Sequence, residues 1–319
     1  MRWGGRRSSW VWGEGWVDVR VALTGASGLI GSALSQALTT RGDEVVHLVR
    51  RAPRTSAERE WSPGEALDSG VLGDVDVVVH LAGAGVADRR WTPEYRKTIR
   101  RSRIDGTRTL ANAVLAQERP VRVVSGSAVG IYGSDRGEEV LTETSAAGKG
   151  FLADVVRAWE GEMRPVAAAG IPVAFARTGI VLSADGGAMA KVLPLAKAAL
   201  GGPLGDGHQW WPVVTLDDEV AALVWLVDHP EITGPVNIAI PEPVRQGEFM
   251  ALLGEELHRP SVIPAPAFAL RAMLGGFADD VLGSQRVAPR VLEESGFTFA
   301  QGDGTSAARW LTSRRDRQE

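Results

Sequence analysis

The chain has 319 residues, 44% of them hydrophobic and 23% charged, with a formal net charge of −4. That is the mixture of a soluble globular protein with material for a sizeable core. The mild acidity gives no reason to expect a nucleic-acid partner. The absence of cysteine excludes disulfides, thiolate nucleophiles and Cys-ligated metal. No apolar run approaches the roughly 20 residues that cross a bilayer, so a cytoplasmic enzyme or binding protein without a membrane partner is expected.

Residues 1–18, MRWGGRRSSWVWGEGWVD, show neither helical nor alternating periodicity and lack the apolar core of a secretory signal. They are expected to be a disordered leader or a start assigned too far upstream. The first strand then begins at Val19: VRVALT (19–24) is a continuous apolar run of the kind buried in parallel sheets. The helix GLIGSALSQALTTRG follows, with Leu29, Ala33, Leu34, Ala37 and Leu38 on one face and Gly42 as its stop. EVVHLVR (44–50) and DVDVVVHLAG (74–83) are further strands. A polar, arginine-rich helix is expected over 93–117, a strand over 120–128, a helix over 151–169 and a strand over 171–182. Strand and helix alternating through short connections predicts an α/β, Rossmann-like, doubly wound parallel sheet. Beyond 183 the pattern loosens into helices near 186–200, 216–229, 245–258 and 266–275 and one strand, 234–240. Residues 19–182 are therefore read as a nucleotide-binding domain, and 183–319 as a smaller mixed C-terminal region laid over one edge of the sheet.

Between the first strand and first helix lies Thr24-Gly25-Ala26-Ser27-Gly28-Leu29-Ile30-Gly31. At such a junction the first glycine permits the turn, the second lets the backbone approach a pyrophosphate, and the third lets the helix pack on the strand. The helix N-terminus then faces the phosphates. Nucleotide contacts are expected from Thr24, Gly25, Ser27, Gly28, Leu29 and Ile30, and from Leu81, Ala82 and Gly83 after the VVVH run. The second strand ends in Arg50-Arg51 where an NAD site usually offers a carboxylate, and arginine there suits a 2′-phosphate. NADP is expected in preference to NAD.

These elements, TGASGLIG, VVVHLAG, VVSGSAVGIYG and FARTGIVL, resemble the extended short-chain dehydrogenase/reductase superfamily, the sugar-nucleotide epimerase/dehydratase group. WSPGEALD, LAGAGVADRRW, SRIDGT, GPVNIAIPEPV and LGSQRVAPRVLEESGFTF look more narrowly like its "epimerase family" branch, which has its own C-terminal domain. The resemblance implies a tyrosine, with a lysine four residues later, as the proton-transfer pair. Neither Tyr95 nor Tyr132 has that lysine, and the corresponding positions are read as Leu152 and Val156. Ser127 stands at the superfamily's serine position, and Arg103 where an asparagine is customary. A hydroxyl and a guanidinium stabilise a developing oxyanion, so Ser127, Arg103 and Tyr132 are the candidate catalytic residues.

Arg96, Arg100 and Arg103 form one stripe at helical spacing, which would suit a small anionic substrate. His47 and His80 lie in buried strands and are read as core residues. His208 sits in a glycine-rich turn that the resemblance places near the cleft. No histidine pair has zinc-ligand spacing, so no metal is expected; a homodimer is allowed. Two functions stay open: NADP(H)-dependent oxidoreductase or epimerase chemistry, and a catalytically silent nucleotide-binding sensor or scaffold, since relatives of this branch are linked to plastid and cyanobacterial division.

Overall fold

The computed structural model describes residues 19–119 and 121–313, so the leader lies outside the described residues. Its main sheet has seven parallel strands: β1 (Arg20–Thr24), β2 (Glu44–Val49), β3 (Glu58–Glu60), β4 (Val77–His80), β5 (Arg122–Ala128), β6 (Val173–Thr178) and β7 (Gly234–Ile238). They lie in the order β7-β6-β5-β4-β1-β2-β3. The order reverses between β1 and β4, which opens a crevice at their carboxyl ends.

The valine-rich runs are strands because both faces are covered. On one face α1 (Leu29–Arg41) and a later helix, Leu216–Asp228, bring Leu34, Leu38, Leu223 and Leu226 against Val21, Leu23 and Val79. On the other, α2 (Pro93–Leu115) sets Leu110 and Val114 against Ala22, Val78 and Val123. Each such side chain, fully buried, contributes roughly 1.5–3 kcal/mol. The remaining long helices are α3 (Phe151–Gly161), α4 (Met189–Lys197), α5 (the Leu216–Asp228 helix), α6 (Gln246–Glu256), α7 (Ala267–Leu274) and α8 (Gly304–Ser313). A separate cluster around Phe249, Met250, Leu253, Leu182 and Trp211 forms the core of the mixed C-terminal part.

Three elements differ from the sequence reading. The helix expected over 151–169 is two pieces, α3 and Arg164–Ala168, the second carrying a proline in its first turn. The run 171–182 breaks at Gly179, whose Cβ position would lie 2.1 Å from the Pro212 carbonyl oxygen. Beyond that break Ile180–Leu182 leaves the main sheet and pairs in parallel with Val213–Thr215. The boundary expected at 182/183 does not end the sheet, because β7 returns to pair in parallel with β6 and forms its edge. No described helix is long and apolar enough to cross a membrane.

Candidate functional site

The crevice is floored by the glycine loop. Gly25 has φ +74°, and a Cβ there would lie 2.8 Å from the Leu81 carbonyl carbon. A Cβ on Gly31 would fall 2.1 Å from the Gly25 carbonyl oxygen. Only glycine fits either position. The Gly28 N–H donates to Gly25 O at 2.9 Å and closes the turn. Gly28 is also the N-cap of α1 and gives it no side-chain cap, so the positive helix end is left for an anion. Ser27 and Gly28 are exposed, while Leu29 and Ile30 are partly buried.

Thr24 braces this loop from below. Its hydroxyl oxygen accepts the N–H groups of Leu81 (3.1 Å) and Ala82 (3.2 Å) and lies 2.7 Å from His80 Nδ1. Nε2 of His80 reaches Thr107 Oγ1 at 3.1 Å. Burial, and secondarily the charge of Arg103, pushes the His80 pKa down to about 3, so the ring is a neutral strut. His47 likewise meets Ser35 Oγ at 2.7 Å.

At the end of β2 the two arginines differ. Arg51 grips Glu58 of β3 through both terminal nitrogens, at 2.8 and 2.7 Å. With the Arg54 N–H as a further donor, this holds the Glu58 carboxyl at about 2. Arg50 is exposed and has no partner among the described residues. The Glu58 carboxylate is thus occupied, and one guanidinium is left over.

Beyond β4, Arg103 turns from α2 toward the sheet edge. Its Nη1 donates to the carbonyls of Ala84 (2.8 Å) and Ile99 (3.2 Å), and its guanidinium lies 5.1 Å from the Trp159 ring centroid. A Cβ on Gly83 would come within 3.3 Å of the Arg103 Cζ. Burial lowers the Arg103 pKa to about 10, against the opposing pull of Tyr95 and Asp88. Tyr95 donates its hydroxyl to Gly85 O at 2.5 Å. Of the rest of the arginine stripe, Arg96 lies over Phe151 (4.5 Å) and Trp91 (5.5 Å), and Arg100 is exposed. His208 is exposed too, its N–H bonded to Asp206.

Ser127, near the end of β5, donates to Glu160 Oε1 at 2.6 Å. Arg177 of β6 clamps the same carboxylate through Nε (2.9 Å) and Nη2 (3.0 Å). Arg177 Nη1 continues to the Tyr132 hydroxyl at 3.0 Å, which donates to Asn237 Oδ1 at 2.7 Å. Tyr132 is fully buried, and desolvation raises its pKa despite Arg177 and Asn237. Arg103 thus lies on Trp159 and Ser127 on the neighbouring Glu160 of α3, and Trp159 Cζ2 lies 3.3 Å from a Cβ position on Gly126. The Tyr132 hydroxyl lies inside the core, among Arg177 and Asn237. Val156 is buried beside Tyr132, and Leu152 packs on Gly130.

Glu160, Arg177 and Trp159 were missed in the sequence. The only available signal was their place in AWE and FART, since their partners lie on other elements. Among the described residues, no group of three His, Asp or Glu side chains stands together as a metal site.

A glycine turn seated at the switch point of a doubly wound parallel sheet defines a protein of the NAD(P)-binding Rossmann class. The chain belongs to the NAD dependent epimerase/dehydratase family, whose model matches residues 21–239; residues 265–311 match a domain of unknown function, DUF1731. It is 40% identical over 297 residues to the epimerase family protein ML0860 of Mycobacterium leprae, covering 92% of this chain and 96% of that protein. It is 33% identical over 291 residues to epimerase family protein YfhF of Bacillus subtilis, covering 89% and 95%. Among solved structures it superposes on human epimerase family protein SDR39U1 with NADPH at a TM-score of 0.84, with 28% identity over 92% of this chain and 99% of that one.

Proposed function

We propose that this chain is an NADP(H)-binding oxidoreductase or epimerase of its family that acts on a small anionic substrate without a Tyr-x-x-x-Lys pair. The observation that carries the cofactor preference is the pair at the end of β2: Arg51 is spent on Glu58, and Arg50 is free among the described residues. A guanidinium binds a phosphate through charge-assisted bonds, whereas the Glu58 carboxylate is already held by Arg51. The human relative solved with NADPH supports the same reading. The residues present fit such a nucleotide, since exposed Gly28 leaves the N-terminus of α1 without a side-chain cap and only glycine at positions 25 and 31 lets the loop close this tightly. Gly25, Ser27, Gly28, Leu29 and Ile30 would hold the pyrophosphate side, Arg50 the 2′-phosphate, and Thr24 with Leu81, Ala82 and Gly83 the crevice wall. When bound, the nicotinamide supplies a hydride donor or acceptor.

The chain's own groups would do the rest. Arg103 keeps Nη1 on Ala84 and Ile99, while its Nε and Nη2 have no partner among the described residues and suit a substrate oxyanion. Ser127 is oriented by Glu160, which Arg177 holds still. A second reading, a catalytically silent nucleotide sensor, is favoured by one observation: the Ser127 hydroxyl proton is already committed to Glu160. The test is NADPH consumption by the purified protein over a panel of carbonyl compounds, beside NADPH and NADH binding by calorimetry. Turnover that falls by about 10²–10³ in Ser127→Ala or Arg103→Ala, with binding retained, supports the enzyme. Tight NADPH binding without turnover supports the sensor. Equal affinity for NADH and NADPH refutes the cofactor preference.

A further inference from the structure

Arg103 reaches from α2 with part of its guanidinium engaged and part of it open. Nη1 donates to the carbonyls of Ala84 and Ile99 at 2.8 and 3.2 Å. Its Cζ lies 5.1 Å from the centroid of the Trp159 ring. Exposed Gly83, three residues beyond the end of β4, leaves room for it: a Cβ there would come within 3.4 Å of the Arg103 Cζ, Cγ and Nη1. These contacts hold the group at the carboxyl end of β4, which is one wall of the crevice. The open part is the side edge, Nε with Nη2. Neither nitrogen has a partner among the described residues, and neither is sealed from water.

The same chain shows what this edge takes. Arg177 holds Glu160 through Nε at 2.9 Å and Nη2 at 3.0 Å. Arg108 holds Glu162 in the same way at 2.9 and 2.8 Å, and Arg136 holds Glu139 at 2.8 and 2.6 Å. In each pair two parallel N–H groups meet the two oxygens of one planar carboxylate, the fork that sets arginine apart from lysine. Arg103 offers the fork without the carboxylate. A guanidinium withdrawn from water without an ion pair is destabilised, and burial lowers this one's pKa to about 10. An arriving anion offsets that loss.

The surrounding charge limits which anion fits. Asp88 stands close enough to favour the Arg103 cation without pairing with it. The other arginines of the helix stripe are turned elsewhere, Arg96 onto Phe151 and Trp91 and Arg100 into solvent. One fixed cation opposed by Asp88 suits a planar monoanion, whereas a phosphate dianion would meet the Asp88 charge with a single counter-ion.

We propose that the Nε–Nη2 edge of Arg103 is the seat of a substrate carboxylate, so that the ligand of this cleft is a small carboxylic acid held by two in-plane bonds, not a phosphate ester or a neutral carbonyl compound. This inference rests on the reading of an anionic substrate given above. The oxyanion that Arg103 receives is then a permanent one, carried by the substrate before any chemistry.

The experiment follows the arginine Nε–H signals of the full chain with NADPH present, by nitrogen–proton correlation NMR, during titration with propionate, propionamide or methyl phosphate. The Arg103 signal is the one missing from both Arg103→Lys and Arg103→Gln. Propionate should shift it saturably and propionamide should leave it in place. Methyl phosphate should bind about tenfold more weakly than propionate, or worse. Arg103→Lys keeps the charge and loses the fork, so propionate affinity, read from the ligand's own signals, should fall about tenfold or more. The comparison of the three ligands by their own signals needs no variant. Absence of a saturable propionate effect overturns the inference, as does methyl phosphate binding more tightly than propionate, or undiminished propionate affinity in Arg103→Lys. A propionate response in protein that consumes no NADPH supports the carboxylate seat while the enzyme reading fails. Turnover of neutral carbonyl compounds with no propionate response overturns the seat alone.

Discussion

Replacing Tyr132 by Phe removes one oxygen from the centre of a buried polar chain. That oxygen accepts from Arg177 Nη1 at 3.0 Å and donates to Asn237 Oδ1 at 2.7 Å. In the variant Asn237 Oδ1 loses its donor, while Arg177 keeps both bonds to Glu160 and a longer one, 3.3 Å, to Glu143 O. One buried acceptor left unpaired costs about 1–3 kcal/mol, and the ring itself still fills its site, so no cavity cost is added. Urea unfolding should therefore show a lower midpoint with an unchanged slope, since the surface exposed on unfolding is the same. NADPH affinity should be unchanged within a factor of two or so, because a loss of this kind stays with contacting neighbours. Any turnover should fall less than about tenfold, or 1.4 kcal/mol. A variant with native stability and native NADPH binding but no turnover would refute the reasoning and make Tyr132 the proton donor.

Other outcomes follow from the same geometry. Arg50→Ala should weaken NADPH binding tenfold or more while leaving NADH binding and the unfolding midpoint unchanged; parallel losses for both nucleotides in a titration would count against it. Gly31→Ala drives a methyl group into the Gly25 carbonyl, so the unfolding free energy should drop by about 1–3 kcal/mol and NADPH binding should fail; a variant that binds normally would show the cradle to be irrelevant. Burial in the first turn of α5 raises the Glu219 pKa, so the folded state holds this proton where the unfolded state has lost it, between the ordinary carboxyl value of 4.5 and about 8. Its contribution to stability is full below that window and is lost as pH rises through it. Glu219→Gln should therefore gain on the unmodified protein by roughly 2–3 kcal/mol between pH 6 and pH 8 in denaturant titrations; a constant difference would exclude a buried, titrating Glu219.

The continuous valine runs, the Gly25-x-x-Gly28-x-x-Gly31 spacing and the apolar face of α1 determined the doubly wound sheet and the position of its phosphate loop. Those signals are local: burial on both faces of a strand and a positive φ at a turn are written in adjacent residues. Other features were settled only by tertiary structure. The edge strand Glu58–Glu60 is polar and three residues long, so no periodicity marks it, yet it carries the carboxylate that separates Arg51 from Arg50. Gly234–Ile238 reads as an isolated strand until β6 supplies its partner. Ser127 meets Glu160 across 33 positions, and Tyr132 meets Asn237 across 105. A hydroxyl's role depends on what the folded chain places within 3 Å of it and on how much water is removed. Composition and spacing bound the kinds of group available, but partner and solvation are properties of the packed interior. That is why a tyrosine eligible as an acid by its sequence became, once folded, a strut between Arg177 and Asn237.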